Sequence, residues 1–183
     1  MAMHIKTKWH KPQDKTVEDS ASVLGVNIWK IAVHMVDHIG DENFQFSNTE
    51  ERFVVLEEIL IFLVQIVDRL SYAIHNDNER HNLVTALVLS LAVNLEENQS
   101  EWLGNGDYRK RFLDRFNDRA QEYANFTFEE EQPGYQFQRY LGERVLTIMG
   151  EKNLNRWVMD QIIDIEIPEA LKTLRRVWQG LMM

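Results

Sequence analysis

Large apolar residues recur every three to four positions through six successive stretches of this chain, and nothing else in it constrains the fold as tightly. That spacing gathers apolar side chains on one face of a helix, whereas a strand would alternate them. Gly and Pro fall mainly at the borders of the stretches, where they end helices. The expected fold is therefore all-α: a single-domain six-helix bundle, mostly antiparallel and up-and-down, because short connections join consecutive helices. A length of 183 residues suits one core, and the domain is expected over 16–183 with 1–15 as a mobile N-terminal tail.

The first stretch runs from about Val17 to Ile39 and stops at Gly40, with Asn27, Lys30, His34, Asp37, His38 and Asp41 in one narrow polar stripe. Asn48 and Glu51 have capping-box spacing and open a second helix on Phe53, Leu56, Leu60, Leu63, Val67, Leu70 and Ile74. Its polar stripe, Glu51, Glu58, Gln65, Arg69 and Asn76, is equally thin. A third helix, from about Glu79 to Asn98, is apolar nearly all round and is expected at the centre of the bundle. Asp107 is the expected cap of a fourth, with Tyr108, Phe112, Phe116, Ala120 and Tyr123 inward and Arg109, Arg111, Arg115 and Asp118 in water. Glu129 to Glu131, Pro133 and Gly134 make an acidic entry to a fifth helix that uses Phe137, Leu141, Val145 and Ile148. From Leu154 to Leu181 the apolar phase continues across Pro168, so the last helix is expected to be kinked or split there.

Charge and motifs narrow the chemistry. A formal net charge of −9 argues against nucleic acid or an anionic membrane as partner, because both require a basic footprint. No apolar run approaches the roughly 20 residues of a membrane span. Met1 to Lys15 carries lysines without an apolar core, so no secretory signal is read and the cytoplasm is the expected compartment. Lack of cysteine removes disulfides, thiol catalysis and cysteine-ligated metals. Gly104-Asn105-Gly106 lacks the lysine and preceding strand of a phosphate loop, and neither Gly-x-Ser-x-Gly nor Glu-x-x-His occurs.

Among candidate sites, His34 and His38 stand four residues apart on one helix face, a spacing that lets both rings reach one divalent transition metal. Glu58 would be a third ligand if the first two helices form a hairpin; otherwise all three groups are simply solvated. Asp160 and Asp164, near Glu166, form a possible carboxylate pair, although such spacing also suits a wet face. His75 and His81 flank a turn that its Asn and Asp residues already explain. Arg109, Lys110, Arg111, Arg115 and Arg119 form a basic group interspersed with Asp107, Asp114, Asp118 and Glu122, which can pair with it along the helix.

The first helix shows apolar residues around an unusually wide arc, and Trp29, Val36 and Ile39 are the expected contacts of a second subunit. The leading expectation is a non-enzymatic helical bundle that acts through protein–protein contact as a homodimer, with no catalytic residue and no cofactor. One alternative is a metal-dependent bundle enzyme using His34, His38 and Glu58. A second is a carrier of an apolar small molecule, with a cavity among aromatic residues such as Trp29, Phe62, Trp102, Phe112, Trp157 and Trp178.

Overall fold

A computed structural model describes residues 17–182, and the expected tail at 1–15 lies outside the described residues. The fold is all-α. Helices α1 (Val17–Asp41), α2 (Thr49–Tyr72), α3 (Asp77–Leu103), α4 (Tyr108–Tyr123) and α5 (Tyr135–Met149) are followed by a composite last rod. That rod consists of a 3-10 turn (Asn153–Trp157), α6 (Val158–Gln161), a π turn (Ile162–Glu166) and α7 (Ile167–Met182).

Local chemistry sets the helix ends. Asn48 Oδ1 accepts the Glu51 backbone N–H at 2.8 Å and starts α2. Asn76 and Glu79 form a reciprocal capping box that starts α3 two residues ahead of the expected Glu79. Asp107 precedes α4 without a side-chain cap bond, contrary to expectation, because its backbone is not extended there. Gly40 does not stop α1, which continues to Asp41.

The enclosed helix is α2, not α3. Every residue from Val55 to Val67 is buried, including Glu57, Glu58 and Gln65, and α1, α3, α4 and α5 all pack around it. By contrast α3 turns Leu89 and Val93 outward, 41% and 37% exposed. Apolar content alone misidentified the centre, because a polar stripe can also be enclosed when a neighbouring helix supplies partners for it.

Between α4 and α5 the chain makes a two-residue hairpin, β1 (Phe128–Glu129) paired with β2 (Gln132–Pro133). Glu130 and Glu131 form its turn at φ 49° and 59°, the left-handed pair that matches the twist of the strands. Gly134 follows because a Cβ there would stand 2.1 Å from Thr127 Oγ1. The irregularity expected at Pro168 lies just ahead of it. Pro168 occupies the first turn of α7, where its missing N–H is tolerated, and the preceding residues widen into the π turn, with Ile167 N–H donating to Ile162 O.

Candidate functional site

The polar stripe of α2 faces α4 and forms a seam inside the bundle. Glu57 and Glu58 are 0% and 1% exposed. Ionised carboxylates at that depth need partners. Glu58 accepts from Arg119 Nε and Nη2 at 3.0 and 2.9 Å, and Arg115 Nη1 lies 3.1 Å from Glu57 Oε2. Glu57 Oε1 also accepts from Gln99 Nε2 of α3 at 2.8 Å. Burial pushes the Glu57 carboxyl above the usual carboxylate range, with Arg115 and the Gln99 bond pulling the other way. Tyr123 is fully buried beside this pair, and its hydroxyl, which has no hydrogen-bond partner, is pushed well up by burial.

One turn beyond Gln65, Arg69 Nη2 donates to the Tyr123 and Ala124 carbonyls at 2.9 and 3.3 Å and to that of Phe126 at 3.5 Å, closing the C-terminal end of α4. Asp68 pairs with Arg80 Nε of α3 at 3.2 Å, and the Arg80 guanidinium lies over the Tyr72 ring.

Gln65 breaks this pattern of pairing. It is 6% exposed, and its side-chain amide has no hydrogen-bond partner among the described residues. It lines an open groove of about 600 Å3 between α2, α3 and α4, together with Asp68, Arg69, Tyr72, Arg80 and the apolar wall of Val84, Phe116, Ala120, Ala124 and Phe128. Chemically, the groove offers an amide, two guanidinium groups, a carboxylate and aromatic rings.

His34 and His38 lie on α1 with their rings stacked 6.1 Å apart. The carboxylates against His38 are Glu166 and, at 3.5 Å from Nε2, Glu42; Glu58 is not among them, its oxygens being taken by Arg119 on α4. The π turn brings Glu166 inward to 2% exposure, where Oε1 accepts from His38 Nδ1 at 2.7 Å and from Gln161 Nε2 at 2.9 Å. The bond to Glu166 raises the His38 pKa above its ordinary 6.5. A small pocket of about 220 Å3 beside them is lined in part by Lys30, His34, Glu166 and Glu169. Among the described residues no three His, Asp or Glu side chains are arranged to hold a metal ion.

The remaining candidates scatter. Trp29, Val36 and Ile39 are core residues within the single chain, so they are not free to meet a second subunit. Asp160 and Asp164 face solvent while Glu166 turns inward. The His75 ring meets Trp178 edge-on, and His81 is exposed. Trp102 and Trp157 are exposed, whereas Trp29, Phe62 and Phe112 pack in the core. Lys110 pairs with Asp114 along α4, but Arg115 and Arg119 turn toward α2. The α2–α4 seam was missed from sequence. Its signal was an adjacent Glu57-Glu58 inside an apolar run, matched by arginines one turn apart on a later helix. Comparison with protein families, with curated proteins and with solved structures finds no match to this chain.

Proposed function

We propose that this chain is a non-enzymatic, cytoplasmic small-molecule-binding protein whose ligand sits in the groove between α2, α3 and α4. Gln65 carries the proposal: a polar side chain on the enclosed helix α2, only 6% exposed as a residue, borders a groove of small-ligand size. The test is a fragment screen, both charged and neutral, read by amide NMR shifts. Binding is expected to move Val84, Phe116, Ala120 and Ala124 together and to be lost in Ala120→Trp, which fills the groove. Fragments that shift only other surfaces overturn the proposal.

Self-association is a second proposal, moved from Trp29, Val36 and Ile39 to the outward face of α3. It is favoured by Leu89 and Val93, exposed one turn apart, and by exposed Val23 on α1, the helix packed along α3. Sedimentation equilibrium of the wild type is expected to show dimers that Leu89→Lys dissociates; a wild-type monomer at micromolar concentration overturns it.

A further inference from the structure

Resting on the ligand-binding function proposed above, we infer that the groove takes a small monocarboxylate with a flat apolar body, the carboxylate held by Arg69 and the body laid against Phe116 and Phe128. Three observations lead there. The groove is lined by two guanidiniums, Arg69 and Arg80, and one carboxylate, Asp68, so its lining carries one positive charge in excess inside a chain of net charge −9. Asp68 is committed to Arg80 at 3.2 Å, which leaves Arg69, of the two guanidiniums, without a carboxylate partner among the described residues.

Arg69 is only partly satisfied. Its Nη2 donates to carbonyls at the end of α4, but Nε and Nη1 have no acceptor among the described residues. The helix end contributes roughly half a negative charge there, which offsets part of the guanidinium and not all of it. The residual field therefore suits one carboxylate and disfavours a dianion. A planar carboxylate also matches the fork of donors on a guanidinium.

The rest of the lining is largely apolar: it includes the rings of Phe116 and Phe128 and the small side chains of Ala120 and Ala124, and Arg69 adjoins it through its bonds to the Ala124 and Phe126 carbonyls. Gln65 can donate its N–H to the same carboxylate or accept from a ring N–H of the ligand, so it serves orientation more than charge recognition.

The test uses aromatic monocarboxylates, each paired with its own primary amide, titrated into the full-length chain with amide NMR shifts and calorimetry as readouts. Each pair shares a flat body and differs in charge. Carboxylates are expected to bind at least tenfold tighter than their amides and to shift Val84, Phe116, Ala120 and Ala124. In Arg69→Gln the preference is expected to vanish, and in Arg69→Lys to persist. The comparison within the wild type stands even if Arg69→Gln loses the end of α4. Equal binding of acid and amide in the groove overturns the carboxylate inference while leaving a ligand groove. Failure of every pair to shift groove residues overturns the groove as well, and acids that shift other surfaces count against the inference.

Discussion

Arg119 and Glu58 face each other at unequal depth, and that inequality decides which partner matters more. Glu58 is enclosed, while the Arg119 side chain keeps 22% of its exposure and can reach water. Arg119→Ala strands a carboxylate in the core and is expected to cost about 3–5 kcal/mol in urea denaturation, with Glu58→Ala costing less. His38 carries a pH signature of its own. Its folded pKa is raised, so its stabilising contribution is full below the ordinary value of 6.5 and is lost as pH climbs through the raised one. The wild type minus His38→Gln difference in urea midpoint is expected to shrink over that climb; a flat difference would contradict the Glu166 bond. Sequence alone showed that His34 and His38 share a face. It could not show that Glu166 meets His38, because Glu166 is distant along the chain and reaches that ring only through the π turn.

At the scale of elements, that π turn is the least regular part of the last rod and the one that positions a functional group. Its ring, Ile167 N–H to Ile162 O, holds one residue more than an α-helical ring. Deleting the exposed Ile165 closes it to the ordinary size. The shortened chain is expected to keep its helical circular dichroism while the His38 titration, followed by NMR, falls back toward 6.5. Helices were legible because their period repeats over many residues and Asn48 announces the start of α2, whereas the cap at Asn76 was read as part of the preceding polar stripe. The hairpin was not, since its two-residue strands carry no period and its turn uses Glu130 and Glu131 where Gly or Asn is usual. Periodicity also misplaced α3, because it records which residues are apolar and not how many neighbours a helix has.

Across the described residues a single hydrophobic cluster includes side chains from every α-helix, α1 through α7. Unfolding is therefore expected to be one cooperative event, with tryptophan fluorescence and far-ultraviolet circular dichroism losing signal at the same urea concentration. Two separated transitions would mean that the last rod folds apart from the rest. Inside the cluster, neighbouring acids on α2 answer two bases one turn apart on α4. Such a four-membered lock tolerates exchange in pairs and punishes single replacements. Kin that have drifted far in letters would still covary at 57, 58, 115 and 119, and those coupled columns are where their common descent would show.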